Sequence, residues 1–316
     1  MATDNGRTRG LLEHPALLYE RMEDFLGVMV PYVSAGIERE EVVFVAARGV
    51  MVGALRDELG TRAAGARLED TDEWYPHPAT RLRAFNELIT GELGAGAKRF
   101  RLAGEPVWPA GPPELVREWQ RYESVLNAVL APFPATLVCL YDASRLDGSI
   151  LDGARRTHPV VFGAGGEQPS GEFVAPEEFL PGWNPSLDPP PSSAVRMPEV
   201  ADLSFARWFL QEEALRAGIE PKRAADLVLA ANEVLTNAVQ YANGLTALWA
   251  WVDDGEFICQ IEDRGQGLAD SLAGYRPPGD DIAAGRGLWL ARQLVDLLQI
   301  VPGPSGTAVR LHIRQG

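Results

Sequence analysis

Glu233 and Asn237 stand four residues apart at the edge of an apolar stripe that runs from Ala224 to Gly244. The stripe (Leu227, Ala231, Val234, Leu235, Ala238, Ala242) has the three-and-four spacing of a helix with one buried face. On such a helix Glu233 and Asn237 lie one above the other. A carboxylate and a carboxamide are costly to bury without partners, so the pair is either a solvated edge or meets a polar ligand. Downstream, Asp263 closes an extended run, and Gly265 and Gly267 behind it let backbone approach a ligand closely. Gly285, Arg286, Gly287 and Leu288 then open a helical run, where unpaired amides and the helix dipole suit phosphate. Gly306-Thr307 starts the last extended run. Singly these are ordinary turns and caps. In this order they point to a bound, phosphate-bearing ligand.

The elements that must hold these residues can be read from the same stretch. Val200 to Ala217 predicts a helix, Pro221 opens the helix carrying Glu233, and Gly244 helps to stop it. Strands are expected at Thr246–Asp254 and Glu256–Asp263, joined by an Asp254-Gly255 hairpin turn, then a helix over Trp289–Leu298 and a closing strand from Ser305. The first half alternates differently. Helices are expected at Tyr19–Ala35 (kinked near Pro31), Gly49–Leu59, Arg81–Gly91, Glu114–Leu130 and just before Thr157. Extended runs fall at Glu41–Arg48, Arg99–Glu105, Ala135–Ser144 and Val160–Gly163. Strands separated by helices imply a mainly parallel sheet, whose ligands sit beyond the carboxyl ends of the strands. The loop Ala47–Ala54 lacks GK[ST], which disfavours nucleotide binding in this half. Gly163–Ala194 is dense in Gly, Pro and Ser and reads as a linker, although Phe173, Phe179, Leu180 and Trp183 suggest that part of it packs.

The 316 residues suit two domains, and a net charge of −15 argues against a nucleic-acid footprint. The bland reading of that charge is solubility. No apolar run approaches a membrane span, and the opening segment MATDNGRTRG has no signal core. Cys139 and Cys259 sit in apolar runs without a CxxC or a histidine neighbour, so they are expected to be buried and inert. That pattern fits a soluble protein in a reducing cytoplasm.

The order ExxxNA, DxGxG, GxGL and GT over residues 195–316 resembles the GHKL, or Bergerat-fold, ATP-binding domain, an α+β sandwich. The resemblance implies ATP and Mg2+ as cofactors. In that family's terms Asp263 specifies the adenine amino group, Asn237 ligates Mg2+, and Glu233 orients or deprotonates the attacking hydroxyl. Gly265, Gly267, Gly285, Gly287 and Leu288 make room around the nucleotide and its lid, and Thr307 lies near the base. Arg286 or Arg264 could add positive charge near the phosphates, and no sequence feature fixes which.

Sensor histidine kinases share the fold but need a phosphoaccepting histidine on an upstream helix, and His14, His77, His158 and His312 all lack that setting. The compact form, with EVLTNAVQYA and GRGLWLARQLVD, is similar to anti-sigma-factor serine kinases of the RsbW type, and the two-domain arrangement to RsbA-family regulators. This implies binding of a sigma factor, phosphorylation of a serine on a STAS-domain antagonist, and by analogy a homodimer. Tyr241 departs from the pattern, standing where histidine is usual, so an ATP-dependent sequestering module without turnover stays open beside the kinase. HPALLYERMEDF, LVCLYD and THPVV, within residues 10–163, resemble the MEDS sensory domain, an α/β fold similar to RecA/KaiC-like ATPases. That implies a small-molecule sensor without chemistry of its own. Its pocket residues are expected among His14, Arg48, Glu105, Asp142 and His158. Two histidines alone are too few for a metal site.

Overall fold

The computed structural model describes residues 11–71, 77–109, 113–163, 166–182, 187–197, 202–242, 244–265, 268, 270–278, 286–303 and 306–315. The chain divides into two compact units, residues 1–179 and 180–316.

The first unit is built on a seven-stranded sheet. Its elements run β1 (Pro15–Tyr19), α1 (Met22–Glu38), β2 (Val42–Ala47), α2 (Gly49–Leu59), β3 (Arg67–Asp70), α3 (Pro78–Gly94), β4 (Phe100–Gly104), α4 (Pro113–Val129), β5 (Ala135–Asp142), α5 (Gly148–Thr157), β6 (Val160–Gly163) and β7 (Gly166–Pro169). The strand order is β3-β2-β4-β5-β1-β6-β7, parallel throughout except for the antiparallel edge pair β6–β7. All eight residues of β5 are buried, as expected for a central strand covered on both faces. α1 and α2 cover one face, where Phe25, Met29, Val33 and Leu55 meet Leu17, Val45 and Val138. α3 and α4 bring Leu82, Phe85, Ile89, Trp119 and Tyr122 into the other core, with Phe85 edge-on to Phe44 at 6.3 Å.

Two expectations for this half need correction. Residues 15–19 form a strand, so the first helix starts at Met22, and α1 continues through Pro31 as one element. β3 is short and half-exposed, so it offers no hydrophobic run to read. Pro176–Gly182 forms a short helix, α6, inside the Gly/Pro-rich stretch, with Phe179 and Leu180 both buried. Trp183 lies outside the described residues.

The second unit pairs helices with an antiparallel sheet. It contains β8 (Val195–Arg196), α7 (Leu203–Arg216), α8 (Pro221–Tyr241), β9 (Leu245–Asp253), β10 (Glu256–Asp263), α9 (Arg286–Leu294), β11 (Leu297–Gly303) and β12 (Gly306–Arg314), in sheet order β11-β12-β10-β9-β8. Local chemistry sets the boundaries. Asp202 caps α7 through the amides of Ser204 and Phe205, and Glu220 with Pro221 starts α8. Asp254 and Gly255 both have positive φ (42° and 76°), the geometry a tight hairpin between twisted strands requires. Leu227, Ala231, Val234 and Leu235 of α8 pack with Phe209 and Leu210 of α7, Ala291 of α9, and Leu248, Phe257, Cys259, Ile261 and Leu311 of the sheet. α7 leaves Phe205, Trp208 and Leu215 exposed on its outer side.

The helix expected over Trp289–Leu298 ends at Leu294, and Leu297–Gly303 is a strand paired with β12. Its apolar run offers a helix and a strand alike, and the exposed edge of β12 decides for the strand. At the β11–β12 turn Gly306 has φ 149°, and a Cβ there would fall inside the carbonyl oxygen of Asp263. Gly306→Ala is therefore expected to cost about 1–3 kcal/mol through strain and steric displacement, read as a lowered urea midpoint. An unchanged midpoint would remove the close approach of β12 to the end of β10.

Candidate functional site

In the second unit, the buried stripe of α8 fixes the rotation of the helix and so puts Glu233 and Asn237 at its half-buried edge. Glu233 faces the start of α9: a Cβ on Gly287 would lie 2.5 Å from Glu233 Oε2. A side chain at Gly287 would have to displace the end of the Glu233 carboxylate. Asn237 follows one turn on, and neither side chain has a hydrogen-bond or ion-pair partner among the described residues.

The far end of α8 reaches the Asp263 turn. Asp263 Oδ1 accepts hydrogen bonds from the amides of Gly265 (2.7 Å) and Thr307 (3.3 Å). The carboxylate is thereby aimed, and its Oδ2 has no partner among the described residues. A Cβ on Gly265 would press on Ala242 at 2.8 Å, so this turn also packs tightly on the end of α8. Thr307 is buried, and Leu288 packs against Gly274. Arg286 and Arg264 are both exposed, as is Tyr241 at 76%. Gly267 and Gly285 lie outside the described residues. The structure thus brings Glu233 to Gly287, and Asp263 to Gly265 and Thr307, on elements that meet along one helix.

The first unit has a cavity of about 340 Å3 at the carboxyl ends of its parallel strands. Arg48 and Glu105, which directly follow β2 and β4, and Asp142, the last residue of β5, line it. Arg48 bridges the two carboxylates, at 2.5 Å to Glu105 and 2.7 Å to Asp142. Tyr19 accepts from Arg48 and donates to Glu105, closing the network. Burial works against charge on Arg48, yet the field of Glu105 and the bond to Asp142 raise its pKa above the usual guanidinium range. Burial likewise opposes charge on Asp142, but hydrogen bonds from Ser144 and Arg48 hold its carboxyl below the usual range.

His14 and His158 do not line this cavity. Both are buried and their rings meet at a tilt of 46°, with centroids 4.2 Å apart. They precede the neighbouring parallel strands β1 and β6, and the register Pro15↔Val160 places them side by side. Cys139 is buried as expected, but it has a histidine companion after all: His14 Nε2 lies 3.2 Å from its Sγ. Sequence spacing could not show this, because 125 residues separate the two.

Residues 13–159 match the MEDS family (MEthanogen/methylotroph, DcmR Sensory domain), and residues 197–313 match the histidine kinase-like ATPase domain. The chain joins a MEDS domain to a histidine kinase-like ATPase domain. The ATPase domain is a kinase-type ATP-binding fold, and its antiparallel sheet under helices is the GHKL sandwich. Among solved structures, the RsbU and RsbW domains of Rv1364c from Mycobacterium tuberculosis are similar at 25% identity and a TM-score of 0.29. That similarity covers 39% of this chain and 32% of the other, so the chain spans about a third of that structure's length. The histidine kinase domain of a blue-light activated histidine kinase from Erythrobacter litoralis EL346 is similar at 14% identity, covering 92% and 94% with a TM-score of 0.23. No curated protein matches. Among the described residues no helix is long and apolar enough to cross a membrane.

The MEDS-domain cavity gives a pH test. A carboxyl whose pKa falls on folding adds stability above its unfolded value near 4 and loses it as the pH drops through the folded value. Asp142→Asn should cost about 1.5–3 kcal/mol at neutral pH, the worth of a hydrogen bond between charged groups. The gap in Tm from wild type should close as the pH is lowered from about 4, and a gap that widened in acid would reverse the sign of Asp142's contribution.

Proposed function

We propose that this chain is an anti-sigma regulatory protein: it binds Mg·ATP in the ATPase domain, binds a sigma factor, and phosphorylates a serine of a STAS-domain antagonist. The MEDS domain tunes this activity through a small molecule in the Arg48–Glu105–Asp142 cavity. One observation carries the reading: Glu233 stands without a partner among the described residues against Gly287 at the N-terminus of α9. A carboxylate close to a helix N-terminus, where phosphate is favoured, is where a group activating a hydroxyl belongs.

The residues fit the nucleotide. Gly287 and Gly306 are glycines at places where a Cβ would collide, and Asp263 presents one oxygen for an amino group while backbone amides hold the other. Bound Mg2+ would neutralise phosphate charge, with Asn237 as the side chain that holds it. Glu233 positions the attacking hydroxyl and takes its proton. Arg286, exposed at the head of α9, adds positive charge at the phosphate end.

A serine acceptor on a separate protein is supported by the histidines. His14, His158 and His312 are buried, and His77 is spent capping α3 through the amide of Ala79. None is offered on an exposed helix for phosphorylation in cis. Sigma-factor binding, and a homodimer with it, rest on the likeness of EVLTNAVQYA and GRGLWLARQLVD to RsbW-type kinases. Tyr241, exposed where that group usually has histidine, supports a second reading, an ATP-dependent sequestering protein without turnover.

Two variants separate the readings. Asp263→Asn is expected to weaken binding of a fluorescent ATP analogue by about 10- to 100-fold, the loss of one hydrogen bond to a charged group. Glu233→Ala should bind the analogue as wild type does and transfer no label from ATP to a STAS protein. Wild-type chain that binds ATP and labels no antagonist would leave the sequestering reading. Labelling by Glu233→Ala would sink the base assignment.

A further inference from the structure

The MEDS domain contains a buried cluster that its cavity does not use. His14, Glu123, Cys139 and His158 are all buried, and one ligand atom from each lies within 4.8 Å of every other. They come from the entry to β1, the middle of α4, β5 and the entry to β6. A tetrahedral ion with bonds of about 2.0–2.3 Å sets its ligand atoms about 3.3–3.8 Å apart, so the observed spread needs only a small contraction.

The hydrogen bonds around the cluster fix which atoms face inward. Asn127 donates its amide N–H groups to the carbonyls of Ser124 and Thr157, which turns its Oδ1 toward His14. That oxygen can only accept, so His14 Nδ1 carries the proton at 3.0 Å and the Nε2 lone pair points at Cys139. His158 Nδ1 lies 2.8 Å from the carbonyl oxygen of Ala154, so it too is the donor. Its Nε2 is then left 3.4 Å from Glu123 Oε2, and neither atom has a hydrogen-bond partner. Two lone-pair atoms facing each other in a buried site repel unless a proton or a metal ion stands between them. Histidines that donate Nδ1–H to a carbonyl and turn Nε2 inward have the outer-shell arrangement of metal ligands.

We infer that this cluster is a four-coordinate site for a divalent transition metal of the Zn2+ type. Its ligands are His14 Nε2, His158 Nε2, Cys139 Sγ and Glu123 Oε2. Two imidazoles, a thiolate and a carboxylate form a set suited to such ions and foreign to Mg2+ or Ca2+, which take oxygen ligands. Binding displaces the Cys139 thiol proton to solvent. Arg81, buried beside the site, donates to Glu123 Oε1 and lies 3.1 Å from Cys139 Sγ. It therefore leaves Oε2 for the metal and supports the thiolate from outside. Arg81 also bears the positive charge that satisfies Glu123 before any ion enters. A line of aromatic contacts leads outward: His158 meets Tyr141 edge-on at 5.6 Å, and Tyr141 meets Trp108, a residue of the cavity wall, at 5.9 Å.

The test uses the tag-free full-length chain, stripped with a chelator and titrated with Co2+ in the absence of nucleotide. One equivalent should bind with thiolate-to-cobalt charge-transfer absorption and the intense visible bands of a tetrahedral ion, and Zn2+ should abolish both. The chain has two cysteines, so Cys259→Ser must keep the spectrum and Cys139→Ser must lose the charge-transfer band. The first of these assigns the thiolate even where Cys139→Ser does not fold. A folded wild-type chain without the charge-transfer band would overturn the site. A band that survives Cys139→Ser, or that Cys259→Ser alone removes, would overturn it as well.

Discussion

The burial of one stripe of α8 governs the ATPase domain. Leu227, Val234 and Leu235 are essentially inaccessible, and each contributes about 1.5–3 kcal/mol by leaving water. A rotation of the helix by one residue would expose that stripe, so its angular setting is fixed within narrow limits. Glu233 and Asn237 inherit this setting. They are held at the rim of the helix by packing beneath them, with no hydrogen bonds of their own among the described residues. Rigidity is thus supplied by apolar contacts, and the polar atoms remain free to meet a ligand.

The same helix organises the glycines. Gly287 is small because Glu233 stands opposite, and Gly265 because Ala242 does. Both contacts are made by α8, near its middle and at its end. A Cβ at Gly265 would press the Asp263 turn against Ala242, and one at Gly287 would displace the end of the Glu233 side chain. These glycines therefore act as spacers between packed elements as much as they act as turn formers.

That relation explains what could be read in the chain and what could not. α8, the β9–β10 hairpin and the order of the nucleotide motifs are local patterns: a helical stripe, Asp254-Gly255, and glycines next to a carboxylate. β11 is not local. Leu297–Gly303 becomes a strand because β12 presents it an open edge, and the continuation of an apolar helix pattern hid this. β1 was hidden by its shortness, five residues ahead of a helix, and β3 by its half-exposed surface. In the site, Asp263 and Glu233 were visible as residue types at the right spacing. The hydrogen bond from Thr307 to Asp263, across 44 positions, is a product of β12 lying beside β10.

The MEDS domain shows the opposite economy, with charged groups buried and mutually satisfied. Of the five residues that might have shared one pocket, three do, because each lies at the carboxyl end of a parallel strand and the sheet gathers those ends. The two histidines precede their strands and so belong to the opposite end of β1 and β6. A common motif, His-Pro followed by an apolar run, occurs at His14 and again at His158, and it was the available signal that they pair. Glu123 and Cys139 gave no such signal, since one looks like a helix-surface carboxylate and the other like a strand filler. The sheet converts these four unremarkable positions into one buried group, and Asn127, by fixing the tautomer of His14, turns that group's lone pairs inward. Tyr141 and Trp108 lie between this group and the cavity, and Arg81 balances the Glu123 charge from the other side, so the remaining lone pairs of His14, His158 and Glu123 converge on one point.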